Sequence, residues 1–383
     1  MTKEINEIKI VSLFSGAGGL DKGFELASQV GSPIHFETVW ANEFDKAIHE
    51  TYEHAFPRAN LIRKSITKVV AEDLVDLRGD DLIEMSNSGT EFFGLLGGPP
   101  CQSWSAAGAK RGKEDPRGQL FWDYIRILGL LKPVFFVAEN VPGILAERNR
   151  EALAGILDEF CASGYNVWYA KLNAAYHDVP EDRERVIFVG VRSDIVSGGE
   201  YGFPSPSDMK EGKPVKRTMQ DVPQLLELSK TAQAFSSNNR SPNQNEYMEG
   251  GFSPLFMSRN RCRGWSEPSF TIQATARHAP VHPDFGAMSK IEQDAFEFVN
   301  PNTVRRFTVR ECAEIQTFPA NHKFIFKNIT DGYKMIGNAV PVNLGRAIAR
   351  SIGVYLEGAT ISRGQVGKLR QGSATYVAKP YDV

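Results

Sequence analysis

Strand-like and helix-like segments alternate through the first half of the chain, and this alternation limits the folds open to it. Apolar runs at residues 8–14 and 134–140 are typical of buried strands, and an amphipathic helical pattern occupies residues 120–131. Strands that alternate with helices predict an α/β fold with a doubly wound, mostly parallel, Rossmann-like sheet. Ligands of such folds bind at the carboxyl ends of the strands.

The character of the sequence changes after Arg192. Residues 197–251 are rich in Gly, Pro, Ser, Asn and Gln and show little periodicity, and helical patterns return from Thr308. With 383 residues the chain is long enough for two domains. We predict a catalytic, ligand-binding domain at residues 1–192, a smaller irregular β-rich domain at 193–330, and a C-terminal segment at 331–383 that returns to the first domain.

The bulk composition excludes several classes of protein. A charged fraction of 23% and a net charge of −2 are ordinary for a globular chain, so any basic surface for nucleic acid must be local. The four cysteines form no C-x-x-C pair, which argues against a disulfide framework and a structural zinc site. The first residues are too charged for a signal peptide or a spanning helix, which favours a soluble intracellular protein.

A stiff turn places Cys101 directly after a strand-like run at residues 92–96. Pro99 and Pro100 have a fixed φ and no backbone N–H, so the turn "GGPPC" is rigid. A catalytic nucleophile would be mounted in this way, but a small buried cysteine beside a turn fits the same residues. If Cys101 were the nucleophile of a hydrolase it would need a histidine base, for which His177 is the candidate.

A second turn, "FSGAGG" at residues 14–19, follows the first strand. The third glycine of a dinucleotide fingerprint would fall at Asp21, so a bound pyrophosphate is not indicated. Glu43 follows the second strand, where a carboxylate can accept hydrogen bonds from ribose hydroxyls. A nucleoside ligand without phosphates, such as S-adenosylmethionine, fits these features, and so does a glycine turn that binds nothing.

Taken in chain order, seven segments resemble the signature blocks of the DNA (cytosine-5) methyltransferases of restriction-modification systems. They are FSGAGG, NEFDKAIHETY, GGPPCQSWS, AENVPG, RERVIFVG, RECAEIQTFP and GNAVPVNLG. The resemblance covers nearly the whole chain outside residues 193–300. It implies an enzyme that transfers a methyl group from S-adenosylmethionine to carbon 5 of a flipped-out cytosine and leaves S-adenosylhomocysteine, without a metal.

The resemblance assigns the catalytic residues. Cys101 resembles the nucleophile that adds to carbon 6 of cytosine, and Glu139 resembles the acid that contacts ring nitrogen 3 and the amino group. Arg185 resembles the arginine that contacts the ring carbonyl oxygen, with Arg183 supporting the same site. Glu181 departs from the glutamine that the family commonly has there. It leaves the hydrogen bonding around Arg183 open.

The same matching gives the residues of the cofactor pocket. These are Phe14, Gly16, Gly18, Gly19, Glu43, Phe44, Pro100, Leu120, Asn338 and Ala339. Ser65 stands where the family often has an aspartate for the adenine edge, and it is left out of the set.

The expected partner is double-stranded DNA. Lys110 and Arg111 belong to a glycine-rich segment, residues 106–119, that is predicted to close over the flipped base and touch phosphates. Four further arginines lie between residues 256 and 282, against a single acid: Arg259, Arg261, Arg263 and Arg277. Arginine forks read guanine best, so we predict a short palindromic site with G·C pairs. We further expect a monomer that is located in the prokaryotic cytoplasm. A restriction endonuclease is expected to act separately.

Other functions require different residues. A tRNA cytosine-5 methyltransferase of the same superfamily is the nearest alternative, although that branch usually has a shorter reading region. A nicotinamide oxidoreductase would need the glycine that Asp21 replaces, and an inactive DNA-binding module would lack one of Cys101, Glu139 and Arg185. His278 and His282 are spaced like metal ligands, but they flank Pro280 and lack an acidic partner motif, so no metal is expected.

Overall fold

The computed structural model describes residues 2–29, 32–100, 119–195, 199–238, 240–241, 244–362 and 376–378. Within these ranges eight strands form the central sheet: β1 (Glu7–Leu13), β2 (His35–Asn42), β3 (Asn60–Ile62), β4 (Phe93–Gly97), β5 (Phe135–Asn140), β6 (Tyr165–Asn173), β7 (Glu184–Arg192) and β8 (Tyr376–Ala378). Nine α-helices lie in the same ranges: α1 (Gly19–Ala27), α2 (His49–Ala55), α3 (Leu82–Ser88), α4 (Gln119–Leu131), α5 (Arg150–Ala162), α6 (Gln224–Thr231), α7 (Val309–Ile315), α8 (Ile329–Asn338) and α9 (Val342–Leu356).

The strand order is β8-β6-β7-β5-β4-β1-β2-β3, and all neighbours are parallel except the two pairs that involve β7. The predicted doubly wound, mostly parallel sheet is confirmed. β7 is antiparallel because the link from Asn173 to Glu184 is too short for the crossover that parallel strands require.

Helices cover both faces of the sheet. On one face α1 and α9 pack over apolar side chains such as Ile10 and Phe135, and on the other α4 and α5 pack over Leu95 and Phe136. The contact between α1 and α9 is close, because a Cβ on Gly23 would lie 2.6 Å from the backbone nitrogen of Arg346. The long closing helix is therefore held against the helix that follows the glycine turn.

The region after β7 is built from short pieces. A hairpin joins Met288–Glu292 to Ala295–Phe298, and a small core gathers around Phe256, Val281 and Phe298. A larger core combines α2, α7 and α8 with Ile272 and other side chains of the irregular region. The domain boundaries drawn from the sequence stay a prediction.

Local signals explain where the later helices begin. Thr308 and Glu311 form a capping box at the start of α7: Oγ1 of Thr308 accepts from the Glu311 N–H at 2.9 Å, and the Glu311 carboxylate accepts from the Thr308 N–H at 2.7 Å. No helix in the described ranges has both the length and the apolar character that crossing a bilayer would require.

A two-residue strand joins the α/β part to the irregular region. Glu181–Asp182 pairs in parallel with Ser269–Phe270, immediately before β7 begins. This pairing fixes the irregular region against the carboxyl edge of the sheet, where the candidate site lies.

Candidate active site

The turn after β4 is braced by the end of β5. Nδ2 of Asn140 donates to the carbonyl oxygen of Pro99 at 3.1 Å. A Cβ on Gly98 would lie 3.0 Å from Oε2 of Glu139, so the glycine lets the turn approach that carboxylate. Pro99 is buried and Pro100 is exposed at the edge of the sheet. Cys101, Lys110 and Arg111 lie outside the described residues.

Glu139 and Arg185 meet beside this turn. They come from the antiparallel neighbours β5 and β7, and Nε of Arg185 lies 2.6 Å from Oε1 of Glu139. The side chains are 14% and 12% exposed, so the pair is mostly shielded but open on one side. A hydrogen-bonding carboxyl and a fixed cation thus lie together at the strand ends, close to the turn that leads to Cys101.

Arg183 is fully buried and ties three segments together. Its guanidinium donates to the carbonyl oxygens of Ile272 at 3.0 Å, Gly337 at 2.8 Å and Ala339 at 2.8 Å. Burial lowers the pKa of Arg183 to about 10, with a further contribution from the positive charge of Arg185. The arginine remains charged at neutral pH. Its hydrogen bonds hold the backbone at Ile272, Gly337 and Ala339.

Glu181 shares this buried environment. Its Oε1 accepts from the N–H of Ile272 at 2.6 Å, and Oε2 meets no donor among the described residues. Burial raises the pKa of Glu181, and the neighbouring Arg183 opposes that rise only in part. In its protonated form the side chain would resemble the glutamine that it replaces.

Phe14, Gly16, Glu43 and Phe44 follow the carboxyl ends of β1 and β2, where doubly wound sheets have their ligand crevice. The Glu43 carboxylate accepts from the N–H of Gly16 at 2.9 Å and of Asp45 at 2.7 Å, and burial raises its pKa. Phe44 is 70% exposed, which leaves an aromatic face open to a ligand. Phe14 has a positive φ of 52°, a strained conformation that sets the course of the glycine turn.

Two glycines allow close packing beside the crevice. Gly18 has a φ of 76°, and a Cβ there would lie 2.1 Å from the ring of Phe56. A Cβ on Gly19 would lie 2.2 Å from the carbonyl oxygen of Val340, next to Ala339. Asn338 is exposed at the end of α8, and Leu120 is half-buried in α4.

Behind the glycine turn lies a buried acid that the sequence analysis did not assign. Asp21 is 1% exposed, accepts a hydrogen bond from the Tyr52 hydroxyl at 3.3 Å, and has no partner at Oδ1 among the described residues. Burial raises the pKa of Asp21 to about 7. Its place in a helical apolar pattern could have indicated burial, but not a protonated state.

The four arginines of the irregular region differ in their surroundings. Arg259 and Arg277 are exposed, whereas Arg261 is half-buried with its guanidinium 5.6 Å from the ring centroid of Phe256. Arg263 donates from Nη1 to Asp182 Oδ2 at 2.8 Å and to the carbonyl oxygen of Pro268 at 2.8 Å. No strand forms over residues 259–263.

The histidines do not form a metal site. His278 contacts Ser253 and Gln273, whereas His282 is buried beside Glu311, and burial lowers the pKa of His282 to about 3. His177 is also buried, and burial lowers its pKa to about 4. In the part of the chain that the structure describes, no three metal-ligating side chains gather.

Comparison with known proteins agrees with this geometry. The sequence model of the family described as C-5 cytosine-specific DNA methylase matches residues 8–354. The Type II methyltransferase M.FnuDI of Fusobacterium nucleatum is 45% identical over 347 residues, with 90% of this chain and 94% of the relative covered. M.NgoPII of Neisseria gonorrhoeae is 44% identical, with coverage of 92% and 97%.

Solved structures share the fold. A DNA modification methyltransferase encoded within an E. coli prophage superposes with a TM-score of 0.61 at 22% identity, covering 91% of this chain and 99% of that one. Dnmt2 of Spodoptera frugiperda gives the same TM-score at 17% identity, with the same coverage.

The sheet, the crevice and the carboxylate–arginine pair define a methyltransferase of the Rossmann-like class. The chain belongs to the C-5 cytosine-specific DNA methylase family. It is a DNA (cytosine-5) methyltransferase of the restriction-modification type.

Proposed function

We propose that the enzyme methylates carbon 5 of a flipped-out cytosine within a short duplex site through a covalent adduct with Cys101. The observation that carries the proposal is the Glu139–Arg185 pair, with its Nε–Oε1 distance of 2.6 Å, beside the turn that leads to Cys101. This arrangement provides a hydrogen-bonding carboxyl and a cation where a pyrimidine ring would meet a thiolate.

The reaction begins by making carbon 5 nucleophilic. The Cys101 thiolate adds to carbon 6, a carbon–sulfur bond forms, and the ring electrons shift toward nitrogen 3 and the carbonyl oxygen. Arg185 stabilises the charge at the oxygen, and the Glu139 carboxyl forms hydrogen bonds at nitrogen 3 and the amino group. Carbon 5 then bonds to the methyl group as the sulfur–methyl bond breaks, and its electron pair stays on the sulfur of S-adenosylhomocysteine. Loss of the carbon 5 proton to a base expels the thiolate and restores the aromatic ring.

The crevice residues fit S-adenosylmethionine. The exposed face of Phe44 can stack on adenine, and Glu43 keeps free lone pairs for ribose hydroxyls after accepting from Gly16 and Asp45. A Cβ on Gly16 would meet nothing within 4 Å, which leaves room at the turn for the methionine part. When bound, the cofactor supplies an electrophilic methyl group on a sulfonium.

Recognition of duplex DNA belongs to the irregular region. The exposed Arg259 and Arg277 can reach bases or phosphates, whereas Arg263 is held by Asp182. The relatives are Type II methyltransferases, which supports a short palindromic target with G·C pairs and protection of host DNA from a separate restriction endonuclease. A monomer suffices, because each visit modifies one strand. The prokaryotic cytoplasm is the expected location.

Covalent trapping tests the proposal. The protein is mixed with S-adenosylmethionine and a duplex library that carries 5-fluorocytosine, and the products are separated by denaturing electrophoresis. Since fluorine cannot leave carbon 5 as a proton does, we expect a protein–DNA band that disappears in Cys101→Ala. Cys161→Ala is the matched control, because Cys161 lies half-buried on α5 and the adduct should persist.

The other outcomes discriminate among functions. An adduct with a tRNA pool carrying 5-fluorocytosine, but none with duplex DNA, would support the RNA alternative. No adduct with either substrate would overturn the covalent mechanism.

A further inference from the structure

Hydrogen bonds hold the amide of one exposed glutamine in a single orientation. Oε1 of Gln273 lies 2.9 Å from Nδ1 of His278, and Nε2 of His278 lies 3.0 Å from Oγ of Ser253. The backbone N–H of Phe256 donates to the same Oγ at 3.1 Å. Gln273 is exposed at the surface of the irregular region.

The direction of these hydrogen bonds can be assigned. The Gln273 amide oxygen can only accept, so Nδ1 of His278 carries a proton, and in the neutral imidazole Nε2 then accepts from the Ser253 hydroxyl while Oγ accepts from Phe256. A neutral imidazole that accepts at Nε2 carries its proton on Nδ1, and that N–H donates to Oε1 of Gln273. The amide nitrogen of Gln273 is therefore left as a donor group directed away from His278.

The backbone at Gln273 touches both parts of the catalytic machinery. The preceding residue, Ile272, accepts from Arg183, which lies two residues before Arg185 in the chain. A Cβ on Gly337 would lie 2.3 Å from the carbonyl carbon of Gln273 and 2.4 Å from the nitrogen of Ala274. Gly337 directly precedes Asn338, so the Gln273 backbone lies near residues proposed to hold the base and the cofactor.

We propose that Gln273 determines sequence specificity by donating hydrogen bonds to a guanine close to the target cytosine, and that His278 is its positioning residue. Guanine presents two acceptors, N7 and O6, in the major groove. A glutamine that reads adenine presents both its oxygen and its nitrogen to the base, whereas here the oxygen faces His278 and the nitrogen is the group directed outward. The inference rests on the proposed reading of DNA by this region.

The test is the sequence preference of variants. Wild-type protein, Gln273→Glu and the matched control Gln220→Glu, an exposed glutamine of the same region, each methylate a random duplex library with S-adenosylmethionine. Bisulfite sequencing then reads the modified sites. We expect Gln273→Glu to lower the rate on the wild-type site about 100-fold and to remove the guanine preference at one position only. Gln220→Glu should retain the wild-type preference.

A second variant tests whether His278 orients the Gln273 amide or only contributes to folding. His278→Ala should weaken the guanine preference at the same position by roughly 10-fold, because the amide can then rotate. In a Gln273→Ala background the same change should have no further effect on that preference. Thermal unfolding and S-adenosylmethionine binding are measured in parallel to verify that each variant is folded.

The failures are distinguishable. If Gln273→Glu keeps the guanine preference at every position, or loses rate equally on all sequences, the inference is wrong and the proposed function stands. If the wild-type protein methylates no duplex at all, the proposed function fails, and the inference fails with it.

Discussion

At the scale of single residues, several charged side chains of this enzyme hold backbone instead of facing solvent. The Arg183 guanidinium donates to three carbonyl oxygens, which belong to two segments that are distant in sequence. Glu181 accepts from the N–H of Ile272, and Arg183 donates to the carbonyl oxygen of the same residue. A buried charge is tolerated when its hydrogen-bonding capacity is used in this way. Both residues therefore hold the backbone at Ile272 close to the strand that bears Arg185.

Asp21 gives a residue-scale prediction for stability. Its pKa is about 7 in the fold against 3.8 for an ordinary aspartate. The protonated form is thus favoured in the folded state, and this stabilisation is complete below about pH 4 and is lost as the pH rises toward 7 and above. Asp21→Asn cannot ionise, so its stability relative to wild type should rise by on the order of 3 kcal/mol between pH 4.5 and 8.

Thermal or urea unfolding over that pH range measures the effect, and Asp45 supplies a control of opposite sign. At Asp45 burial acts to raise the pKa, but the hydrogen bonds from Lys334 and the Ala47 N–H together with the nearby positive charges lower it overall, so the stabilisation is lost on acidification. Asp45→Asn should lose stability relative to wild type as the pH rises. If the difference in free energy of unfolding between Asp21→Asn and wild type does not change with pH, the assignment of a raised pKa to Asp21 is wrong.

At the scale of elements, the close contact between α1 and α9 depends on glycine. A Cβ on Gly23 would lie 2.6 Å from backbone atoms of α9, which cannot move aside as a flexible side chain could. We expect Gly23→Ala to destabilise the fold by about 1–3 kcal/mol through overpacking. The two helices frame the glycine turn, so affinity for S-adenosylmethionine should fall in the same variant.

Gly129 provides the matched control. It is exposed within α4, and a Cβ there would meet nothing within 4 Å. Gly129→Ala should stabilise the protein by roughly 0.5–1 kcal/mol, because alanine restricts the unfolded chain more than glycine does. Urea unfolding compares the two variants, and equal effects of the same sign would show that helix propensity outweighs the α1–α9 packing.

At the scale of the whole molecule, Asp182 connects the irregular region to the sheet. Its carboxylate accepts from Lys216 at 2.7 Å, Arg263 at 2.8 Å and Asn173 at 3.1 Å. Two of these donors belong to the irregular region and the third ends β6. The strand Glu181–Asp182 therefore links the irregular region to the strand that bears Arg185.

Removing the charge of Asp182 should affect DNA binding more than chemistry. We expect Asp182→Asn to raise the KM for DNA about 10-fold, with little change in kcat, because the reading region becomes less well positioned. Glu227→Gln is the matched control, since Glu227 pairs with Lys230 on the exposed surface and should leave KM unchanged.

A double-mutant cycle with Arg263→Ala then identifies what Arg263 does. If Arg263 acts through Asp182, the two changes should couple by about 1 kcal/mol, and the double variant should resemble the single ones. Fully additive losses would instead favour direct contact between Arg263 and DNA.

Much of this architecture was predictable from local patterns. The strand and helix alternation gave the mostly parallel sheet, and the turns after the first and fourth strands were visible as glycine and proline runs. The antiparallel orientation of β7 was not predictable from local patterns. It follows from the length of the connection between β6 and β7, whose sequences are both typical of strands. The roles of Arg183, Asp182 and Gln273 were also hidden. The carbonyl partners of Arg183 lie 89 or more residues away, the partners of Asp182 lie 9, 34 and 81 residues away, and His278 lies on an irregular segment.

The sequence by itself determined the chemistry that the chain can carry. Residue types and local turn geometry set the stiff approach to Cys101, the glycine turn before α1 and the positions of Glu139 and Arg185 at strand ends. The tertiary structure alone decided which charges face each other. It pairs Glu139 with Arg185 and Arg263 with Asp182. It also buries Asp21 and Glu181. Burial and pairing depend on contacts between distant segments, and no local pattern records them.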